Sequence, residues 1–295
     1  MVYRTYYRKS IMRNILSKVF YLYRKLPGYI SLPLVTVFAT IIDYWVYRIR
    51  SSSNQKVPSY EFNNEKILHD LISDGYSVVE NYYPESECGK IRNEIDRLIG
   101  DYPDSIHLLS KADTRIFGAD KLSELINSFP SSDFLSSIAN QYTQTLQDSA
   151  FTLAARMDAK PGNLGSGEGW HRDAFFCQFK AILYVSDVSI DNGPFQLVSG
   201  SHKLWQIIKD IFKCKLHYMQ DRIDTTQVDC LTNSNNRLLS FPASAGTLLL
   251  VDTSIIHRGM PIKEGTRYAL TNYYFPTDTI TPELYEKFSI NIDNN

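Results

Sequence analysis

The chain has 295 residues, 43% of them hydrophobic, which is more than one minimal domain needs and fits one elaborated enzymatic domain with a terminal extension. A net charge of −1 argues against a nucleic-acid footprint over the whole chain. Cys88, Cys177, Cys214 and Cys230 are scattered, with no Cys-x-x-Cys pair, so neither a disulfide framework nor a zinc ribbon is expected. They fit a reducing compartment as buried small hydrophobes, with Cys177 alone close enough to the motif below to lie near a site.

The charge is unevenly placed. Residues 1–50 hold nine Lys/Arg and a single acid, Asp43, so a basic arm precedes an acidic domain. Within residues 10–26, Ile11, Met12, Ile15, Leu16, Val19, Phe20, Tyr23 and Leu26 have the spacing of an amphipathic helix, with Arg13, Lys18, Arg24 and Lys25 opposite. Such a face suits a membrane interface or packing on the protein itself. Pro27-Gly28 ends it. Tyr29–Tyr47 is then apolar but for Asp43, at the lower edge of spanning length. If it spanned, the basic arm would stay inside and the rest of the chain would be exported. An interfacial or re-entrant anchor, or a helix packed on the domain, is therefore expected, and no signal peptide. Ser51–Gln55 reads as a linker. The division is a basic extension over 1–55 and a folded domain over 56–295.

Ile67, Leu68, Leu71 and Ile72 predict a helix ended by Asp74-Gly75, followed by a short strand over Tyr76–Glu80. Pro84-Glu85-Ser86-Glu87 opens a second helix with Ile91, Ile95, Leu98 and Ile99 inward, its acids placed where the helix dipole favours them. Residues 119–147 read as helical, interrupted at Pro130. From 149 onward the pattern changes to strands: Ala150–Met157, Ala181–Val185, Phe195–Val198, Leu248–Val251, Ser254–His257 and Tyr268–Phe275, with a partly helical insertion over 203–235. Short strands with turn signals suggest a jelly roll, which can hold a site between its sheets.

The most informative passage is Gly169-Trp170-His171-Arg172-Asp173, with His257 84 residues after Asp173 and Arg267 ten residues later. On a strand, His171 and Asp173 point to one face. His257 on a neighbouring strand would complete a two-histidine, one-carboxylate triad, a set that suits non-haem Fe(II) with positions left open. His-x-Asp alone is a weak signal. Its order with Asn192-Gly193-Pro194, Gly200-Ser201-His202, an apolar strand ending in His257, and Arg267 is much stronger.

The passages WHRD (170–173), LYVSDVSIDNGPFQLVSGSHK (183–203), GTLLLVDTSIIHRG (246–259) and TRYALTNYYF (266–275) resemble the phytanoyl-CoA dioxygenase family of Fe(II)- and 2-oxoglutarate-dependent oxygenases, over about Glu61 to Phe275. The resemblance implies a mostly β fold with flanking helices, built on a double-stranded β-helix (jelly roll). It implies His171, Asp173 and His257 as iron ligands and as the catalytic centre, with Arg267 as partner of the 2-oxoglutarate distal carboxylate. Fe(II), 2-oxoglutarate and O₂ are the implied cofactor and cosubstrates, with ascorbate as an accessory reductant. Related halogenases lack the carboxylate ligand, so Asp173 favours hydroxylation, with release of succinate and CO₂, while desaturation or ring closure by the same oxidant stays open.

A guanidinium grips a carboxylate through two parallel hydrogen bonds, and Arg267, across a turn from His257, is expected to share its sheet face. Arg156, a charge in an apolar strand, is a second candidate for 2-oxoglutarate or an anionic substrate, and is equally placed to pair with a structural acid. Trp170 is expected as a packing wall, Arg258 to point away from the metal, and Lys180 and Gln178 to face the substrate mouth. Tyr273, Tyr274 and Phe275 are expected in the core.

Two rival readings remain: a cupin-like metal enzyme using the same ligands without a keto acid, and a non-catalytic jelly-roll binding module. The expected substrate is a small molecule, lipid-linked or glycan-related. The expected location is the cytoplasm, with membrane association through residues 1–50 and no nucleic acid as partner. Oligomeric state is not readable.

Overall fold

The computed structural model describes residues 64–277 except 104–105, 111, 176, 217–219 and 234–236, together with 37–38, 40–42 and 280. The expected amphipathic helix over 10–26 and the linker at 51–55 lie outside the described residues. Part of the apolar stretch that follows the arm is described: residues 37–38 and 40–42 are helical, and Val37 packs on the domain.

Helix α1 (Glu65–Asp74) ends at Gly75, whose φ of 85° is the left-handed cap that a side chain would resist. Strand β1 (Tyr76–Val79) and helix α2 (Glu85–Asp101) follow as expected, with Ile91, Ile95 and Leu98 fully buried. A hairpin that the sequence reading did not anticipate comes next, β2 (Ile106–Ser110) and β3 (Asp113–Phe117). The helical stretch breaks into α3 (Ala119–Leu122), α4 (Glu124–Asn127) and α5 (Asp133–Thr143).

The strands β4 (Gln147–Asp158), β5 (Phe179–Tyr184), β6 (Phe195–Val198), β7 (Leu238–Phe241), β8 (Leu248–Asp252), β9 (His257–Gly259) and β10 (Thr266–Pro276) complete two antiparallel sheets. The large sheet runs β1-β8-β5-β10-β4-β3-β2 and the small one β7-β6-β9. Helices α6 (Leu204–Cys214) and α7 (Thr225–Thr232) make up the insertion.

Strand alternation assigns each face of the large sheet. Phe179, Ala181 and Leu183 of β5, Ala154 of β4, and Leu270 and Tyr274 of β10 belong to one buried cluster with Leu71, Ile91, Ile95, Leu98, Leu135 and Ile138 of the helices. Each such large aliphatic side chain contributes about 1.5–3 kcal/mol when fully buried. The intervening residues Lys180, Ile182 and Tyr184 of β5, and Arg267, Ala269, Thr271 and Tyr273 of β10, line a cavity on the other face. The small sheet closes part of that face through Phe195, Leu197 and their contacts with Leu249, Val251 and Ile255. A third cluster, around Trp170, Val198 and Ile256, carries α6 and α7.

The insertion brings a correction. Cys214 and Cys230 are joined as a disulfide between α6 and α7, against the expectation of isolated thiols. Sixteen residues of sequence separate them, but the αα-hairpin brings their Cα atoms to 5.8 Å, within bridging range. Cys88 and Cys177 are not disulfide-bonded, and Cys88 is buried.

Candidate active site

His171 and Asp173 do not lie on a continuous strand. His171 forms isolated antiparallel bridges with His257 and Arg222, and Asp173 sits in the bend that follows. Two backbone hydrogen bonds, each 2.9 Å, tie His171 to His257 in both directions. The Asp173 amide donates to the Thr253 carbonyl at 3.0 Å. Arg172, between the two ligand positions, turns the other way and is buried. Its Nη1 donates to the carbonyls of Ser201 and Ser254 at 2.7 and 2.6 Å, pinning the bend to the loops beneath it. Gly167 also fits this site alone: its φ is +82°, and a Cβ there would collide with the His171 ring.

The three side chains converge. His171 Nε2 lies 3.8 Å and His257 Nε2 3.6 Å from the Asp173 carboxylate, and one donor atom from each residue falls within 4.8 Å of the other two. Both separations exceed hydrogen-bond range. Each Nδ1 faces a backbone carbonyl, Gly169 O at 2.8 Å and Ile255 O at 2.9 Å, which can only accept. Each imidazole is thereby fixed with its proton on Nδ1 and its Nε2 lone pair toward Asp173. Burial, reinforced by the neighbouring His171 ring, pulls the His257 pKa down to about 3, and burial lowers that of His171. Burial alone would raise the Asp173 pKa, but Lys180 and the two rings hold its carboxyl well below the usual carboxylate range. Two neutral imidazole nitrogens and one carboxylate facing a common point form the donor set of a divalent transition metal, so Fe(II) fits these residues.

Arg267 is on β10 in the large sheet and His257 on β9 in the small one, so they face each other across the cavity rather than sharing a sheet face as expected. The cavity between them has a volume of about 220 Å³. Arg267 is only 6% exposed, has no carboxylate partner among the described residues, and makes its one close polar contact with Met157 Sδ at 2.7 Å. Burial lowers its pKa from the ordinary arginine value. A buried guanidinium without an anion is costly.

Arg156 does not join the site. It is opposite Tyr268 on β4, one residue out of phase with Met157 and Arg267, and so lies on the helix-covered face. It pairs with Asp96 at 3.0 Å and Asp158 at 3.3 Å, half-exposed, with Tyr268 beneath it. Of its two expected roles, the structural pairing is the one present.

Lys180 is at the centre of the site rather than its mouth. Its Nζ donates to Asp173 at 2.6 Å and lies 3.8 Å over the Tyr273 ring. Tyr273 therefore lines the cavity, while Tyr274 is core as expected. Gln178 is buried, its carbonyl accepting from the Thr253 amide at 2.8 Å. Trp170 is a packing wall, with Arg258 stacked on it at 4.4 Å and turned from the triad. Arg115, in the unanticipated hairpin, also lines the cavity. It holds Asp113 through two nitrogens and donates to Ser166 at 2.8 Å. The signal for it was Asp113-x-Arg115 ahead of Ile116-Phe117, two charges on one face of a short apolar run.

Residues 72–266 match the family model described as phytanoyl-CoA dioxygenase (PhyH), about two thirds of the chain. The chain belongs to the phytanoyl-CoA dioxygenase family. A curated relative, the ectoine dioxygenase of Nocardia farcinica (strain IFM 10152), is 23% identical over 239 residues, covering 73% of this chain and 78% of that protein. Among solved structures, the iron-bound EctD from S. alaskensis superposes with a TM-score of 0.60 at 15% identity, covering 81% of this chain and 90% of that one. HygX from Streptomyces hygroscopicus, with nickel and 2-oxoglutarate bound, gives 0.52 at 18%, covering 74% and 92%. The epimerase SnoN from nogalamycin biosynthesis gives 0.55 at 15%, covering 72% and 82%. These structures share the jelly-roll fold. Membership in the PhyH family makes this chain an Fe(II)- and 2-oxoglutarate-dependent dioxygenase.

Proposed function

We propose that His171, Asp173 and His257 hold the iron, that Arg267 receives the distal carboxylate of 2-oxoglutarate, and that the enzyme hydroxylates a small molecule seated above them. One observation carries this reading: a buried arginine without an anion faces two lone pairs and a carboxylate across one cavity. When bound, iron and 2-oxoglutarate supply the oxidant, so that substrate, O₂ and 2-oxoglutarate become alcohol, succinate and CO₂.

The chain's own residues do the rest. The backbone exchange between His171 and His257 presets the separation of the rings. The carbonyls of Gly169 and Ile255 fix both tautomers, so no proton has to leave either Nε2 before it can serve as a ligand. The apolar side chains of Leu153, Ala155, Ile182 and Phe195 exclude water around the reacting centre. Arg267 sets the reach and direction of the keto acid by a planar two-point grip. The test is succinate formation from 2-oxoglutarate by the Fe(II)-loaded protein. Succinate should form slowly without substrate, and formation should vanish in His257→Ala. Turnover without 2-oxoglutarate would support a cupin-like enzyme instead.

The substrate reading is a small molecule or a lipid-linked or glycan-related compound. We place the division between a basic extension (1–55) and the catalytic domain (56–295), with the enzyme in the cytoplasm, where 2-oxoglutarate is supplied, and against anionic membrane through its basic arm. No helix among the described residues is long and apolar enough to cross a membrane. A peripheral contact is supported by the nine basic residues of the arm and by α6, which exposes Trp205 (74%) and Phe212 (53%) seven positions apart beside Lys209. Co-sedimentation with phosphatidylserine vesicles should fall on deletion of residues 1–50. Unchanged sedimentation would remove the arm from the account.

A further inference from the structure

The charges around the triad do not balance once iron and 2-oxoglutarate are in place, and the excess has a location. The cavity is lined by four permanent or buried cations, Arg115, Lys180, Arg222 and Arg267, and by one acid, Asp173. Arg115 is neutralised by Asp113, with Nη2 and Oδ2 2.6 Å apart. On the proposed function, Arg267 is matched by the distal carboxylate of 2-oxoglutarate. The two charges of Fe(II) are matched by Asp173 and the other carboxylate of the keto acid. Lys180 and Arg222 are left over.

Lys180 is the sharper of the two. Lys180 is 5% exposed, and among the described residues its one acidic partner is Asp173, the same carboxylate that the triad offers to the metal. Asp173 carries a single negative charge and cannot neutralise both. The face of Tyr273 at 3.8 Å helps a buried cation but does not replace an anion. Arg222 stands at the mouth, bridged to His171 through the backbone. Its Nη1 donates to the Gly167 and Glu168 carbonyls, and it has no acidic partner among the described residues. Both cations line the same cavity beside the triad, Lys180 against Asp173 and Arg222 bridged to His171.

We propose that the substrate of this oxygenase is an anion whose carboxylate or phosphate group is received by Lys180, with Arg222 guiding it at the mouth, so that the carbon to be oxidised is held over the triad. This inference rests on the proposed function, and it adds the substrate class.

The test uses the full-length protein loaded anaerobically with Fe(II) and 2-oxoglutarate, with acetate, inorganic phosphate and neutral acetamide as probes, followed by calorimetry. Acetate or phosphate should bind and acetamide should not, and which anion binds more tightly names the carboxylate or the phosphate class. Lys180→Met should weaken anion binding by about tenfold or more. The same variant should bind Fe(II) at least as tightly as wild type, because Asp173 is freed, whereas a merely structural role for Lys180 would lower both affinities. Arg222→Gln, at an exposed side chain, gives a second variant if Lys180→Met does not fold, and it too should weaken anion binding. Equal binding of acetamide, or anion binding unchanged in both variants, overturns the inference while 2-oxoglutarate binding keeps the proposed function standing. Loss of 2-oxoglutarate binding by the wild-type protein would overturn both.

Discussion

Lys180 and Asp173 form a buried ion pair, Nζ to Oδ2 at 2.6 Å, inside the triad that the sequence marks as a metal centre. A lysine there favours the ionised carboxylate. It also makes Asp173 responsible for stability as well as chemistry.

Asp173→Ala should therefore do two things. It should abolish 2-oxoglutarate-coupled hydroxylation, and it should destabilise the metal-free protein by about 3–5 kcal/mol, because Lys180 is left buried without its partner. Urea denaturation of the two proteins with a chelator present measures the second effect. The double variant Asp173→Ala/Lys180→Met should recover much of that loss without recovering activity.

Arg267 and Arg156 should separate cleanly. Arg267→Ala removes the buried cavity guanidinium that has no carboxylate partner among the described residues and should weaken 2-oxoglutarate binding by about 2–5 kcal/mol. Arg156→Ala removes a half-exposed ion pair and should leave 2-oxoglutarate affinity unchanged, with a stability cost of about 1 kcal/mol or less. Calorimetric titration of 2-oxoglutarate into both variants decides the matter.

The two histidines set an acid limit on the metal-free fold. Their folded pKa values are depressed, to about 3 for His257 from 6.5 when unfolded. Below pH 6.5 the unfolded state takes up protons that the native rings refuse, so stability falls as pH falls and is fully present above that value. His257 alone should contribute a slope of about 1.4 kcal/mol per pH unit between roughly pH 6 and 4. Urea midpoints across that range should flatten in His257→Gln.

Reduction should loosen the insertion. Cys214–Cys230 closes a loop of 16 residues, worth about 3 kcal/mol in a chain-entropy estimate. That loop includes Asp221 and Ile223, whose backbones bond to Arg172 and Trp170 on either side of His171. A reductant should lower the melting temperature of wild type and have no effect on Cys214→Ser/Cys230→Ser.

The sequence carried the triad because ligands, turn and strand recur in a fixed order, and it carried most strands because a half-buried strand alternates visibly. It misplaced the relation of His257 to Arg267, since a turn of six residues joins two different sheets here and spacing alone does not say which. Lys180 was legible only as a residue facing the substrate mouth. Its partner lies seven residues away through a bend with no regular period. The β2–β3 hairpin carries Asp113 and Arg115 against β4, a pairing set by long-range register rather than local pattern. The disulfide depended on two helices folding back on each other, which cysteine spacing does not reveal.

The most direct test of the central claim is an anaerobic titration of Fe(II) into the full-length protein with 2-oxoglutarate, followed by the visible metal-to-ligand charge-transfer band. The account predicts a saturable band at one iron per chain, absent in His257→Ala and requiring much more 2-oxoglutarate in Arg267→Ala. A folded, iron-loaded wild-type protein that shows no band at saturating 2-oxoglutarate would contradict it.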